Sequence, residues 1–311
     1  MNSLIPPFEF HRVFIEPWTD AFPFTIWIVL MGTLVGAACG LVGNYLLLRR
    51  MALIGDAISH SVLPGLVIAF LLFRSTHTLV MFLGALSAGV VTVALIEFIQ
   101  KRSRVKVDAA ICIVFTSLFA LGVVITQMLS TEGAIHIDVE CILYGEIAFV
   151  PLEPPLQLLG HDIGPASVLR MAGITVVCAL AILAFYKELL ITSFDAGLSK
   201  SMGIRTQVWH YGLMILLSLV VVSAFEAVGA IMVVAMLIVP PMFAAQLSQR
   251  LPVRFLLTLA HAALSAITGY HLSVWLNCSV AGAMVVTGSA FFLLAWLATS
   301  VKTAAVRGVP Q

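Results

Sequence analysis

The chain has 311 residues, of which 61% are hydrophobic and 10% charged, against about 45–50% apolar and about 25% charged in a soluble globular domain; that balance excludes a water-soluble fold. Sixteen Lys and Arg against 15 Asp and Glu leave a formal net charge of +1, so no bulk charge points to nucleic acid, and the placement of the charges carries the information. With about 20 apolar residues needed per membrane-spanning helix, there is room for little beyond spans.

The opening stretch MNSLIPPFEFHRVFIEPWTDAF lacks the basic region and short apolar core of a cleavable signal, so insertion is expected to be driven by the first span. Apolar runs bounded by charge clusters and Gly or Pro then predict spans at about 24–48, 54–73, 78–99, 108–129, 168–186, 208–226, 228–247, 255–276 and 279–300. The turn at 226–228 is the weakest boundary, since it can equally lie within one broken helix. The expected fold is an all-α polytopic membrane protein, a helical bundle of about eight or nine transmembrane helices forming one domain over residues 1–311.

Between these spans the basic residues segregate. Arg49, Arg50, Lys101, Arg102, Arg104, Lys106, Lys187, Lys200, Arg205, Arg250, Arg254, Lys302 and Arg307 fall in connections on one side, and only Arg12, Arg74 and Arg170 fall on the other. Cytoplasmic loops carry the excess of Lys and Arg, which predicts an external N-terminus and a cytoplasmic C-terminus. Two connections are long. Residues 130–167 hold acids and no Lys or Arg, as an external loop would, and their Pro-rich second half argues against another span. Residues 193–206, SFDAGLSKSMGIRT, place Asp195 before a short helical core and Gly203 after it, a capped helix lying along the cytoplasmic face.

An ionisable side chain inside a span is costly and by default marks function. Asp56 and His60 in the second span are four residues apart, hence on one helix face a turn apart. They read as half of a site for Mn²⁺, Fe²⁺ or Zn²⁺, whose preferences a carboxylate oxygen and an imidazole nitrogen meet, or as a hydrogen-bonded pair that fixes helix packing. The nearby Gly55, Pro64 and Gly65 favour the first reading, because helix breakers beside buried polar groups free backbone to line a cavity. Glu226, in SAFEAVGA, reads either as a further carboxylate for that shell or as an acid at a helix end. His136, Asp138, Glu140 and Cys141 crowd six residues of the acidic loop; attraction of cations or docking of a partner accounts for them, and for Glu146, better than a defined site. His261 and His271, ten residues apart, do not share a helix face and read first as packing or interfacial residues, with metal contact as the alternative. Glu97 and Asp108 flank the basic KRSRVK loop as interfacial ion partners.

Cys39, Cys112, Cys178 and Cys278 lie in or beside apolar runs without a CxxC pair and read as small core residues. The chain carries no GxxxxGK[ST] loop, HExxH pair or GxSxG elbow, so it is not expected to hydrolyse ATP. Ser59 and Ser61 adjoin His60 in sequence and so face other directions, which leaves a hydrolase without a nucleophile–base pair.

The run Leu48 to Gly65, LRRMALIGDAISHSVLPG, resembles the signature of the permease subunit of bacterial metal-ion ABC importers, the manganese/zinc/iron family. The similarity continues through VFTSLFALGVV (114–124), CILYGEIAFVP (141–151), KELLITSFD (187–195) and AFEAVGAIMVVAMLIVPP (224–241). The resemblance implies a multi-pass permease of the bacterial cytoplasmic inner membrane, not an enzyme. It would be paired with a second copy or a paralogue and surrounded by lipid, driven by a separate cytoplasmic ABC ATPase and fed by an external metal-binding solute-binding protein, with no nucleic-acid partner. It places Asp56 and His60 on the path of a transported divalent ion, with no permanently bound cofactor. It makes residues 193–205 the ATPase-coupling segment, here Ser193, Phe194, Asp195, Gly197, Leu198, Met202 and Gly203. It turns the outer loop, with His136, Asp138, Glu140 and Glu146, toward the binding protein. A self-sufficient secondary metal carrier and an intramembrane metalloenzyme are the alternatives.

Overall fold

The computed structural model describes residues 6–75, 77–131, 147–158 and 161–307. Eight of the described helices are long and apolar enough to cross a membrane. After a π-helical turn His11–Ile15, the helices are α1 (Glu16–Thr19), α2 (Phe22–Leu48), α3 (Ile54–Phe73), α4 (Thr78–Arg102), α5 (Val107–Thr131), α6 (Ala166–Ala184), α7 (Tyr186–Phe194), α8 (Ala196–Ser201), α9 (Thr206–Leu247), α10 (Leu251–Leu276) and α11 (Val280–Arg307). The fold is an all-α polytopic membrane protein, as expected.

The most apolar parts of α2 and α9 are 72% buried, against 28% for those of α4, α5, α6 and α11. The first two helices therefore form the axis around which the others are arranged, and their partners turn an apolar face outward. Where α2 meets α9, glycine lets two backbones touch, the usual device where no hydrophobic drive separates helix from lipid. Pro241 has no N–H for the Leu237 carbonyl to bond, and that oxygen faces Gly43, where an added Cβ would sit 2.0 Å away. Gly43→Ala must push the helices apart, an overpacking cost of about 1–3 kcal/mol. We expect a lower melting temperature for the detergent-extracted variant in a thermal-unfolding assay, and an unchanged one would contradict this contact.

The 42 residues of α9 would form a rod about twice the thickness of a bilayer's hydrocarbon core at 1.5 Å per residue. The neighbours show how it fits. Glu97 of α4 meets His210 and Tyr211, Gly89 faces Ser218, and Phe82 and Ala85 cluster with Val222 and Phe225, so the first limb runs antiparallel to α4. Gly36 faces Met236, and Gly43 faces Leu237 and Pro241, so the second limb runs parallel to α2. Both limbs thus have their far ends at the end of the bundle that holds Arg49, which touches His210. The reversal is at Gly229, with φ 75° and ψ 168°, a conformation that favours glycine. The turn expected at 226–228 is realised one residue later, and the described residues pass along the bundle nine times.

Connections 49–53, 103–106 and 185–205 meet at that end through Arg49, Glu97, Ser193 and His210. Residues 248–250 join them, since α10 runs antiparallel to α2, with Thr258 beside Asn44 and Tyr270 beside Thr25. We call it the basic end. At the opposite end the acidic connection holds a structure the sequence reading did not anticipate. A 3₁₀ turn Ile147–Leu152 leads into an antiparallel hairpin of β1 (Pro155–Leu158) and β2 (His161–Pro165). Prolines that exclude a span are compatible with a short two-stranded ribbon, which exposes its edges.

Candidate metal centre

The α2–α3 connection is tight. Arg50 N donates to Leu47 O at 3.1 Å and Met51 N to Leu46 O at 2.9 Å, the paired bonds of a helix-ending Schellman turn. Arg50 stands in its left-handed position, with φ 57°. Three residues later α3 begins, with Asp56 in its first turn.

Gly55 of α3 faces Leu237 of α9, and Ile58 faces Gly89 of α4, so the Asp56–His60 face is turned away from both. His60 Nε2 lies 3.4 Å from Asp56 Oδ1. Two ligand atoms bonded to one ion at about 2.1 Å, at angles between octahedral and tetrahedral, stand about 3.0–3.4 Å apart, so the pair can share a cation with little rearrangement. The side chains remain 24% (His60) and 36% (Asp56) exposed. The imidazole is set against the rings of Phe115 and Phe119 of α5, with centroids at 5.1 and 5.4 Å. Its Nδ1 is buried without a hydrogen-bond partner among the described residues, and ring packing orients it. Sequence reasoning missed both phenylalanines; their i, i+4 spacing was visible, but the helix they face was not. Ser59 and Ser61 donate to Gly55 O and Ile58 O of their own helix, which occupies both hydroxyls.

Among the described residues no group of three or more His, Cys, Asp and Glu could hold a metal ion. Glu226 stands apart from Asp56 and His60: its Oε2 lies 2.8 Å from Arg170 Nη2 on α6, three residues before the reversal at Gly229. Arg170 drew no attention in the sequence because it reads as one of three basic residues on the wrong side. His261 Nε2 donates to Gly288 O at 3.0 Å. His271 Nδ1 donates to Val13 O at 2.8 Å while its Nε2 accepts from Trp18 Nε1 at 3.2 Å. Both are packing residues. His136, Asp138, Glu140, Cys141 and Glu146 lie outside the described residues. Cys39 and Cys178 are buried as core residues, whereas Cys112 and Cys278 are exposed, and among the described residues none of the four forms a disulfide.

The basic end carries a second cluster. Asp195 caps α8, its Oδ1 accepting from Gly197 N and Leu198 N at 2.8 and 2.9 Å, and Gly203 with φ 77° closes it. This is the capped helix expected from SFDAGLSKSMG. Phe194, Leu198 and Met202, spaced by four, are 68%, 52% and 59% exposed beside the exposed Lys200. Glu97 accepts from Lys101 at 2.6 Å, as an interfacial ion partner should, and also from Tyr211 at 2.7 Å. Arg49 reaches Ser193, Thr192 and His210. Burial pulls its guanidinium pKa below the usual value, which Tyr45 partly restores.

The sequence pattern of the ABC 3 transport family matches residues 21–299. The manganese transport system membrane protein MntD of Bacillus subtilis is 44% identical over 275 residues, covering 88% of this chain and 92% of that protein. The zinc transport system membrane protein TroD of Treponema pallidum is 37% identical, covering 88% of this chain and 73% of that protein. Among solved structures, PsaBC from Streptococcus pneumoniae in complex with a Fab contains a chain 33% identical to this one. The two superpose with a TM-score of 0.74 over 91% of this chain and 94% of that one.

Proposed function

This chain belongs to the ABC 3 transport family, and from that premise we propose that it is the membrane permease of an ATP-driven importer for a divalent first-row metal ion. Manganese is the leading cargo and zinc the next, the metals named for the relatives MntD and TroD. As a permease it is a transporter subunit and not an enzyme; hydrolysis belongs to a separate cytoplasmic ATPase, and an external binding protein delivers the ion. The basic end faces the cytoplasm of a bacterium, which puts the N-terminus outside. The acidic loop, with His136, Asp138, Glu140 and Glu146, faces the binding protein.

The observation that carries the reading is the Asp56–His60 pair, 3.4 Å apart and partly open on a face that leaves the axis of the bundle. Two ligands are half of what a tetrahedral ion takes, and no third joins them among the described residues. A second permease copy presenting the same pair supplies the rest, and releases it when the copies move apart. Glu226, held by Arg170, is the poorer candidate for that shell. The segment around α8, with Phe194, Leu198 and Met202 exposed, is the docking element for the ATPase; Asp195, Gly197 and Gly203 shape it, and Ser193 ties it to Arg49.

The test is uptake by proteoliposomes holding the permease with its ATPase, supplied with the binding protein. Manganese uptake is expected to require ATP and to be competed by Zn²⁺. Uptake that persists without the ATPase would instead establish a secondary carrier, and no uptake of either ion by an assembled complex would overturn the importer.

A further inference from the structure

We infer that Arg49 is a positioning residue that latches the ATPase-docking segment to the helix carrying Asp56 and His60, so that displacement of one is passed to the other. The inference rests on the importer reading above.

Arg49 spends each of its guanidinium nitrogens on a different partner. Nε donates to Ser193 Oγ at 3.0 Å, Nη2 to Thr192 Oγ1 at 3.1 Å, and Nη1 lies 3.2 Å from His210 Nδ1. Thr192 and Ser193 lie in the last turn of α7, just before the Asp195 cap of α8, and His210 lies near the start of α9 after it. One side chain thus grips the chain on both sides of the docking helix. The hydroxyls are set for the role: Thr192 gives its proton to Glu188 O at 2.8 Å and Ser193 to Leu189 O at 2.6 Å, which leaves their lone pairs to Arg49. With Nδ1 accepting from Arg49, the His210 proton sits on Nε2, which faces Glu97 Oε1 at 2.5 Å.

The other side of the latch is covalent. Arg49 is the last cap residue of α2, and the Schellman turn through Arg50 leads to Ile54 without slack. A left-handed arginine is a strained element that its surroundings have to hold in place. Displacing Arg49 therefore moves the first turn of α3, where Asp56 sits.

The chemistry of the grip fits a latch that opens. Its acceptors are two hydroxyls and an imidazole, whereas a carboxylate would hold a guanidinium in a stronger, bidentate pair. Glu97, the nearby acid, is already taken by Lys101 and Tyr211. Beside the guanidinium is a cavity of about 550 Å³ that also borders Gln100, Phe194 and Gln207, which gives the side chain space to leave its acceptors.

The test uses the reconstituted permease–ATPase complex and measures ATP hydrolysis and manganese uptake on the same vesicles. Arg49→Gln is expected to assemble and hydrolyse ATP within about twofold of the wild type while uptake per ATP falls about tenfold, the size of a typical coupling between sites. Arg49→Lys, which keeps the charge and loses the fork, falls between. Thr192→Val with Ser193→Ala removes the α7 acceptors without touching Arg49, and lowers uptake per ATP in the same direction if Arg49→Gln fails to assemble. Unchanged uptake per ATP in these variants overturns the inference, as does a parallel fall of hydrolysis and uptake, which would make Arg49 only a structural support. Wild-type vesicles without ATP-dependent uptake would overturn the importer reading, and this inference with it.

Discussion

Asp56→Asn is expected to abolish manganese uptake while the permease still inserts and assembles with its ATPase. The substitution keeps the size of the side chain and removes the anionic oxygen that lies 3.4 Å from His60 Nε2. Loss of a residue that merely orients a metal ligand already costs 10–100-fold in affinity or activity, so loss of a ligand itself should cost more than about 100-fold. His60→Gln should act in the same sense, because an amide is a far weaker donor to a first-row ion than an imidazole. The double variant should be no worse than either single one, since removing one member already dismantles a shared site. Uptake is to be measured at matched membrane abundance. Normal transport by Asp56→Asn would assign the pair to helix packing, the reading in which an Asn can still hydrogen-bond the imidazole.

Leu198→Asp should separate the permease from its ATPase. Phe194, Leu198 and Met202 are each more than half exposed, and they sit at the end where the basic connections collect. A buried aliphatic anchor at the centre of an interface is worth about 2 kcal/mol or more. An aspartate there adds the desolvation of an unpaired charge, so the affinity should fall at least about 30-fold. The measurement is co-purification of the ATPase with tagged permease, followed by uptake. The permease itself should fold normally, because Leu198 is solvent-facing and the cap made by Asp195 is untouched. Full recovery of the ATPase on Leu198→Asp would move the docking surface elsewhere. This loss differs from that of Arg49→Gln, which should keep the ATPase and lose only the return in transported ion.

Much of this was legible beforehand, for identifiable reasons. A bilayer asks for long apolar helices and puts a charge bias on their connections, so the spans, their order and the collection of Arg49, Lys101 and Arg254 at one end follow from the residues in line. The capped helix at 196–201 was legible because its signals, Asp195 before and Gly203 after, are local to the backbone they satisfy. Asp56 and His60 were legible because both lie on one helix, where a spacing of four is already a distance. The β1–β2 hairpin was hidden, since prolines that rule out a helix do not say what replaces it.

Contacts between helices were decided only by the tertiary structure. Glu226 had no visible ion partner until Arg170, 56 residues earlier in the chain, was placed beside it. Phe115 and Phe119 could be read as membrane-facing until they closed on His60. Arg49 was one of 16 Lys and Arg until α7 and α9 brought it two hydroxyls and an imidazole. By itself the sequence determined the class of fold, the gathering of basic connections at one end and the placing of Asp56 and His60 on one helix face, because hydropathy, charge bias and helical period act along the chain. The reversal of α9 at Gly229, the partner of Glu226 and the grip of Arg49 on the end of α7 depend on which helix lies beside which. Shape-matched packing decides that, at contacts such as Gly43 on Leu237, and no single segment carries it.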